Sequence, residues 1–315
     1  MKEYIIDKTN ENQRLDKYLK RLMPSASNSF IYKMLRKKNI ELNSKRANGD
    51  EILKCCDSVK IFFSDETFAK MTSKVRHCLD DDYINAYNSL EDIDVVFEHG
   101  DFMVLYKPSG VLSQKSKEND VSVNEWAIGY LLKSGFISEE SLSFFKPSVL
   151  NRLDRNTKGL IIVSKTLIGS RRLSEMLSQR TLHKYYMAQT SKGCPLNGIY
   201  SAFLYKDEKK NKVEIFDSKN DIPKGLKFSP IKTGISKAYD EGEYTYLDIE
   251  LITGKSHQIR AHLAHLGYPI VGDVKYNGPK NDDRFQNLTA YKIVFPPFDS
   301  NDDWSDLSEK VISLR

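Results

Sequence analysis

The sequence contains few cysteines, and none has a spacing that binds metal. Its 315 residues include four cysteines, Cys55, Cys56, Cys78 and Cys194. None of them forms a C-x-x-C pair, which excludes a zinc finger or a thioredoxin-like motif. We expect all four to be free thiols, the usual state in a reducing compartment.

The sequence also lacks long apolar runs and glycine-rich nucleotide motifs. No stretch approaches the ~20 apolar residues that a membrane span requires. Residues 1–7 lack the apolar core of a signal peptide, so we expect a cytoplasmic protein without a membrane partner. Neither a dinucleotide-binding pattern nor a P-loop pattern is present, and we expect no cofactor.

Positive charge is present but unevenly distributed. The net charge is +5, yet residues 14–46 contain ten lysines and arginines against two acids. Apolar residues in this segment recur at helical spacing, which predicts two amphipathic helices. A surface of one sign across both helices indicates phosphate binding. The residues that we expect to bind RNA are Arg14, Lys17, Arg21, Lys33, Arg36, Lys37, Lys45 and Arg46.

The two basic helices precede a predicted β-hairpin. Residues 40–43 and 59–63 have strand-like patterns and flank the turn at 48–50. A helix, a basic helix and a hairpin in this order resemble an S4-type RNA-binding domain. We therefore expect a small α/β RNA-binding domain at residues 1–66.

An acidic segment follows this domain. Residues 78–106 contain eight acids and no lysine or arginine, and residues 66–92 show no clear helical or strand periodicity. Such a segment is typical of a solvated linker. We expect an acidic linker at residues 67–92 and a catalytic domain at residues 93–315.

A carboxylate between two arginines stands near the middle of the chain. Residues 151–160 have the sequence N-R-L-D-R-N-T-K-G-L and lead into the apolar residues 161–163. This pattern predicts a polar loop before a buried strand, a common position for catalytic side chains. We expect Arg152 and Arg155 to hold the carboxylate of Asp154. Taken alone, the pattern also fits a surface ion pair worth only ~0–1 kcal/mol.

A longer motif lies toward the end of the chain. Residues 251–273 have the sequence L-I-T-G-K-S-H-Q-I-R-A-H-L-A-H-L-G-Y-P-I-V-G-D. They predict a strand, a turn and a helix that ends at Gly267, ahead of Pro269. Together with R-L-D-x-x-T-x-G-L, this stretch resembles the RluA-type pseudouridine synthases, which isomerise uridine in ribosomal and transfer RNA.

Two shorter segments extend the resemblance. Residues 107–110, K-P-S-G, resemble the first motif of the family, although Tyr106 stands where Asn or Asp is usual. Residues 184–188, K-Y-Y-M-A, resemble its K-x-Y-x-A segment and place the base-packing Tyr at Tyr186 rather than Tyr185. Seen alone, a Tyr in a strand also fits the core or the sheet surface. Residues that depart from the family pattern are Asn151, Asn156, Lys158, Lys255 and Ser256.

The resemblance implies a fold, an activity and a set of site residues. The implied fold is α+β, with a mixed, mainly antiparallel sheet and a central RNA cleft. The implied activity is conversion of specific uridines in RNA, foremost 23S ribosomal RNA, to pseudouridine. The implied catalytic residues are Asp154, Tyr186 and Arg260, and the resemblance implies that Arg260 lies against the carboxylate of Asp154. Those implied to bind substrate are Arg152, Lys107, Lys184, Ile259 and His257.

This chemistry matches what the sequence has and lacks. The reaction breaks the C1′–N1 bond and joins C1′ to C5, so it requires neither redox chemistry nor an energy source. A base inside a stack has to be flipped out to react, and an aromatic face such as that of Tyr186 can hold it. Whether Asp154 attacks the sugar, attacks the ring or removes the 2′ proton stays open at this point.

Two other functions are consistent with parts of the sequence. One is an RNA-binding assembly factor of the ribosome without catalysis, which the Asp154, Tyr186 and Arg260 set disfavours. The other is a metal-dependent hydrolase that uses His257, His262 and His265. Their spacing is not H-E-x-x-H, and Arg260 lies among them, so we expect no metal. We expect a monomer, with ribosomal or transfer RNA as its partner.

Overall fold

The computed structural model describes residues 1–6, 10–72, 79–139, 141–280 and 284–314. These residues form two compact units, one of residues 1–87 with 128–147, the other of residues 88–127 with 148–315. None of the described helices is long and apolar enough to span a membrane.

The strands are numbered in chain order. They are β1 Lys2–Ile5, β2 Ile40–Leu42, β3 Lys45–Arg46, β4 Ser58–Ile61, β5 Asp94–Glu98, β6 Phe102–Lys107, β7 Ser148–Val149, β8 Lys158–Ser164, β9 His183–Ser191, β10 Gly198–Asp207, β11 Lys212–Phe216, β12 Phe228–Glu241, β13 Tyr244–Glu250, β14 Leu288–Val294 and β15 Val311–Ser313.

The α-helices are numbered in the same way. They are α1 Leu15–Leu22, α2 Asn28–Arg36, α3 Asp65–Thr72, α4 Leu79–Ser89, α5 Val123–Lys133, α6 Ser141–Phe144, α7 Leu167–Gln179 and α8 Gln258–His265. Short 3₁₀ helices occur at Lys219–Asp221, Val274–Tyr276 and Ser305–Leu307.

The N-terminal unit has the two predicted helices, and the two predicted strands pair as β2 and β4, but the hairpin turn lies at Asn43 and Ser44, between β2 and β3, rather than at residues 48–50. The apolar stripe of α1 is buried at Leu15, Tyr18, Leu19 and Leu22, as its helical spacing predicts. Helix α2 begins where Phe30 N donates to the Ser27 side chain at 3.2 Å, an N-cap that satisfies a free amide. The same unit contains an antiparallel four-stranded sheet with the strand order β1-β4-β2-β3.

The segment predicted to be a linker contains two helices instead. Helix α3 begins after Ser64, whose hydroxyl accepts a hydrogen bond from Thr67 N at 3.3 Å. Phe68 is buried and stacks on Tyr4, and α4 buries Tyr83. Among the side chains that the structure describes in these helices, the buried apolar ones are Phe68, Tyr83 and Ala86, too few to produce a clear period in the sequence. Residues 73–78, including Cys78, lie outside the described residues.

The other three cysteines are free thiols, as predicted. Cys55 and Cys56 are exposed, and Cys194 is buried.

The second unit is built on one large sheet. Its strand order is β11-β10-β12-β13-β9-β14-β8-β6-β5, with β15 paired to β14 and β7 paired to β8. Among the described strands, only β14 and β8 pair in parallel. The predicted α+β class with a mainly antiparallel sheet is therefore confirmed.

Strand β8 is the buried strand predicted after the Asp154 loop. Residues 160–163 are all almost inaccessible to solvent, because β8 lies between β6 and β14 inside the sheet. Gly159, the second residue of the strand, has a φ of 122°, and a Cβ there would lie 2.1 Å from Ala290 O. The glycine of the R-L-D-x-x-T-x-G-L motif therefore permits close strand pairing.

For the other elements, some predictions from the sequence agree with the structure and others differ from it. Helix α8 is followed by Gly267 with φ 87°, the predicted stop. Helix α7 begins at Leu167 rather than residue 170, because the Thr166 hydroxyl accepts from Gly169 N at 3.0 Å. Strands β10 and β12 are ten and fourteen residues long, although residues 191–240 predict only short strands. Their exposed lysines and acids interrupt the alternation that marks a strand.

Candidate active site

Asp154 lies in the loop between β7 and β8, and the backbone of this loop is held on both sides of the residue. Leu153 N donates to Ser113 Oγ at 3.0 Å, and the same hydroxyl donates to Leu153 O at 2.8 Å. Thr157 N donates to Asp154 O at 3.0 Å. The Asp154 side chain lines a cleft of about 1270 Å³, so a fixed backbone presents the carboxylate to this cleft.

Lys107 supports this loop from inside the protein. It is fully buried, and its ammonium donates to Pro108 O at 2.8 Å, Val111 O at 2.8 Å and Arg155 O at 2.9 Å. Burial lowers the pKa of Lys107 to about 7, while the charge of Asp154 acts in the other direction. These contacts with backbone carbonyls indicate that Lys107 supports the loop, and its role in binding substrate stays a prediction.

Arg260 connects two carboxylates. Its Nη1 donates to Asp154 Oδ2 at 2.8 Å, as the resemblance implies. Its Nε and Nη2 donate to Asp273 Oδ2 at 2.6 Å and to Asp273 Oδ1 at 2.8 Å. Burial acts to lower the pKa of Arg260, but the pairs with Asp273 and Asp154 outweigh it and raise the pKa. The forked contact with Asp273 fixes the guanidinium plane, so the third donor points at Asp154.

The arginines next to Asp154 in sequence do not hold it. Within the described residues, Arg260 forms an ion pair with Asp154, and His257 Nε2 lies 3.9 Å from Asp154 Oδ2. Arg155 Nε donates instead to Gly110 O at 2.9 Å, and Gly110 N donates back to Arg155 O at 2.9 Å. Arg152 is exposed and lines the cleft, which leaves it able to contact a ligand.

Tyr186 faces the cleft from β9. Alternation along the strand puts Lys184 and Tyr186 on the cleft side and Tyr185 on the other, where Lys292 Nζ lies 4.0 Å from its ring centroid. Burial, with a smaller effect of Asp154, raises the pKa of Tyr186. Burial lowers the pKa of Lys184. This placement agrees with the assignment of the motif tyrosine to Tyr186.

His257 and Ile259 lie on either side of Gln258, where α8 begins. The His257 ring donates to or accepts from the Tyr276 hydroxyl at 2.9 Å through Nδ1. Burial lowers the pKa of His257, and Asp154 acts against this shift. Ile259 belongs to the buried apolar cluster that contains Leu153 and Tyr186, and it lines only a small cavity of about 50 Å³. Ile259 therefore supports the floor of the site, whereas His257 reaches the cleft.

The other two histidines of the motif point away from Asp154. His262 is buried, and its Nδ1 lies 3.0 Å from Thr233 Oγ1. His265 Nε2 lies 2.9 Å from Asp217 Oδ1. In the described part of the chain, no three His, Cys, Asp or Glu side chains converge in a way that would hold a metal ion.

The cleft as a whole is basic. Ten lysines and arginines line it, against three carboxylates, so its charge favours a polyanion. The lining cations are Lys115, Arg152, Arg155, Arg180, Lys184, Lys206, Lys255, Arg260, Lys275 and Arg284.

The N-terminal unit keeps most of its predicted basic surface. Six of the eight predicted RNA-binding residues are exposed; they are Lys17, Lys33, Arg36, Lys37, Lys45 and Arg46. Arg14 differs, because its guanidinium donates to Asp16 at 3.1 Å and 2.9 Å. Arg21 is half-buried. These two are therefore less suited to contact phosphate.

Several site residues were not predicted from the sequence. Asp273 and Tyr276 pair with Arg260 and His257, and Ser113 fastens Leu153. Asp273 ends the quoted motif, and a buried arginine requires a carboxylate partner of this kind. No local pattern marks Ser113.

Comparisons with known proteins agree with this geometry. The family model described as RNA pseudouridylate synthase matches residues 101–265. An uncharacterized RNA pseudouridine synthase of Mycoplasma capricolum is 31% identical over 99% of this chain and 97% of its own length. A ribosomal large subunit pseudouridine synthase C of Buchnera aphidicola is 32% identical, over 88% of this chain and 81% of its own.

A solved structure shares the fold. Human RNA pseudouridylate synthase domain containing 4 superposes with a TM-score of 0.52 and 17% identity, over 68% of this chain and 88% of its own.

Proposed function

The chain belongs to the RNA pseudouridylate synthase family, and we propose that it isomerises uridines of 23S ribosomal RNA with Asp154 as the catalytic residue. The observation that carries this proposal is the Asp154–Arg260 pair, at 2.8 Å, in a basic cleft that Tyr186 also lines. The choice of ribosomal RNA is supported by a relative named as a ribosomal large subunit pseudouridine synthase.

Asp154 is the group suited to nucleophilic or basic chemistry on the nucleoside. The reaction breaks the C1′–N1 bond, turns the uracil and joins C1′ to C5, with loss of the C5 hydrogen as a proton. A carboxylate performs either role only when it is ionised. The adjacent Arg260 guanidinium pairs with this carboxylate and orients it, and Asp273 holds that guanidinium in place.

Tyr186 and the cleft cations would hold the nucleotide. The target uridine has to leave its stack to reach Asp154, and the Tyr186 ring offers a face on which the flipped base can stack. Arg152 and Lys184 line the same cleft and would contact phosphates or the base edge. His257 adds a polar group beside the carboxylate.

The N-terminal unit would supply affinity that does not depend on sequence. Its exposed cations, among them Lys33 and Arg36 on α2 and Lys37 directly after it, suit phosphate contacts of an S4-type RNA-binding domain at residues 1–66. Phosphate contacts position a protein on RNA, while the cleft selects the base. We propose that the protein acts as a cytoplasmic monomer, since all groups assigned to catalysis come from one chain.

The proposal is tested with purified protein and RNA that carries tritium at C5 of uridine. Release of tritium from 23S ribosomal RNA, unchanged by a chelator, is the expected result. Transfer RNA and 16S ribosomal RNA transcripts serve as competing substrates. Pseudouridine maps of cellular RNA with and without the protein would then locate the uridine. Binding to 23S RNA without tritium release would instead support a non-catalytic assembly factor.

A further inference from the structure

His257 has a backbone conformation that few side chains adopt. Its φ is 54° and its ψ 14°, in the left-handed region that is costly for a residue with a Cβ. The residue immediately precedes α8, and its carbonyl accepts from Ala261 N at 2.9 Å. His257 therefore forms the left-handed turn that leads into α8.

Tyr276 determines which nitrogen of that ring carries a proton. Within the described residues, the buried Tyr276 hydroxyl has two hydrogen-bond partners: Val213 N at 3.0 Å and His257 Nδ1 at 2.9 Å. Val213 N can only donate, so it occupies the hydroxyl oxygen as acceptor. The hydroxyl proton then has His257 Nδ1 as its acceptor, because otherwise a buried donor would remain unsatisfied.

An Nδ1 that accepts requires the tautomer with hydrogen on Nε2. Nε2 is the ring atom that faces the catalytic carboxylate, 3.9 Å from Asp154 Oδ2. This separation is too long for a direct hydrogen bond. Burial lowers the pKa of His257, which agrees with a neutral ring. The Nε2–H donor is therefore available to an atom of a ligand that binds beside Asp154.

We propose that Tyr276 is a positioning residue that holds His257 as a neutral Nε2–H donor to an oxygen of the bound uridine. The acceptor is a uracil carbonyl oxygen or a ribose hydroxyl, which share the required chemistry. This inference rests on the proposed function of the cleft, but the tautomer itself does not depend on it.

Histidine ¹⁵N chemical shifts test the tautomer without any substrate. In the parent protein at pH 8, the His257 ring, assigned through loss of its signals in His257→Gln, is expected to show a protonated Nε2 and an unprotonated Nδ1. Tyr276→Phe removes only the hydroxyl, and the two tautomers are then expected to interconvert. A parent ring with hydrogen on Nδ1 would overturn the proposal, whatever the enzyme's activity.

A double-mutant cycle tests the role in turnover. Removal of a preorganised donor commonly lowers kcat by about 100-fold, the effect expected for His257→Ala, and we expect about tenfold for Tyr276→Phe, with unchanged RNA affinity in both. Because Tyr276 acts through His257, the double variant should be no slower than His257→Ala alone. His257→Gln, which retains a terminal amide donor, should recover part of the loss and be insensitive to Tyr276→Phe. If the losses of kcat caused by His257→Ala and Tyr276→Phe multiply in the double variant, the proposal is contradicted.

Parent enzyme without tritium release would overturn the proposed function but leave the tautomer result standing. If Tyr276→Phe fails to fold, the ¹⁵N shifts of the parent protein still decide the tautomer. Tyr276→Phe activity within twofold of the parent, in a folded variant, would overturn the positioning role.

Discussion

The two units of this protein place positive charge in opposite ways. In the second unit, named the catalytic unit because it contains Asp154, Arg260 is 8% exposed and is enclosed by Asp154 and Asp273. In the N-terminal unit, Lys33 and Arg36 on α2 and Lys37 at its C-terminal end are exposed. A buried charge is stable only when it is paired and its geometry is fixed, whereas an exposed charge remains free to meet any phosphate.

This difference suggests a division of labour. A fixed ion pair can aim one carboxylate at one atom, which chemistry requires. Mobile surface cations tolerate many RNA shapes, which suits affinity without selection. Substitutions in the first group should therefore change turnover and folding, and substitutions in the second should change binding and its dependence on salt.

The largest combined loss of stability and turnover is expected from Arg260→Met. The change leaves Asp154 and the buried Asp273 without their cation, which should cost ~3–5 kcal/mol of unfolding free energy and lower kcat at least about 1000-fold. Urea unfolding and C5 tritium release measure the two effects. Arg260→Lys keeps the charge but not the fork, so its losses should be intermediate. An unchanged free energy of unfolding in Arg260→Met would contradict the claim that Arg260 stabilises the fold by pairing with Asp154 and Asp273.

Tyr186 should have a large effect on turnover and a smaller one on binding. Base stacking is worth ~1–3 kcal/mol on alanine substitution, so Tyr186→Ala should weaken productive binding by that amount, while Tyr186→Phe should retain it. Competition binding with a short uridine-containing RNA measures the difference. Tyr185→Ala is the matched control, since this ring lies on the other face of β9 near Lys292. If Tyr185→Ala weakens RNA binding more than Tyr186→Ala does, Tyr185 rather than Tyr186 contacts the base, and the assignment is wrong.

Neutralising α2 should change binding more than catalysis. In the Lys33→Gln, Arg36→Gln, Lys37→Gln variant, the slope of log affinity against log salt should fall by about 2, because single-stranded RNA contributes ~0.7 per phosphate contact. The value of kcat at saturating RNA should stay the same. Substitution is preferable to truncation, because residues 128–147 belong to the same unit.

A control of equal charge change shows whether α2 is special. The exposed lysines Lys219, Lys224 and Lys227 belong to the catalytic unit and do not line the cleft. Their triple substitution with Gln should change the slope much less. Equal changes in both variants would mean that net charge alone, rather than this helix, governs affinity.

The smallest effect concerns the acid stability of the catalytic unit. Burial lowers the pKa of His262 from 6.5 to about 4. Because the folded pKa lies below the unfolded one, the unfolded chain binds more protons between these values, and stability falls as pH drops below about 6.5. His262→Asn should flatten the loss of urea stability between pH 7 and 5.

Much of the site follows from sequence because its motifs have strict geometric causes. The glycine at 159 permits the close approach of β8 to β14, and Gly267 ends α8; both signals are local. The pairing of Asp154 with Arg260 was implied by the resemblance rather than by spacing, since 106 residues separate the two.

Other features depend on contacts that sequence does not display. The arginines beside Asp154 seemed suited to hold it, yet Arg155 bonds to Gly110 from a distant loop. Lys107 seemed a ligand-binding cation, yet backbone carbonyls surround it. Strands β10 and β12 gain their length from pairing with each other, which overrides their weak alternation. Helix α4 likewise depends on buried Tyr83 rather than on a periodic stripe.

The central claim is that Asp154 performs the chemistry, and Asp154→Asn tests it most directly. The substitution keeps the size and hydrogen-bonding atoms but removes the charge. Tritium release from C5 of uridine is measured at saturating RNA for both proteins, with the exposed Asp217→Asn as the control variant. We expect unchanged folding, RNA affinity at least equal to the parent, and no detectable release. Turnover within about tenfold of the parent, ~1.4 kcal/mol of barrier, would contradict the claim.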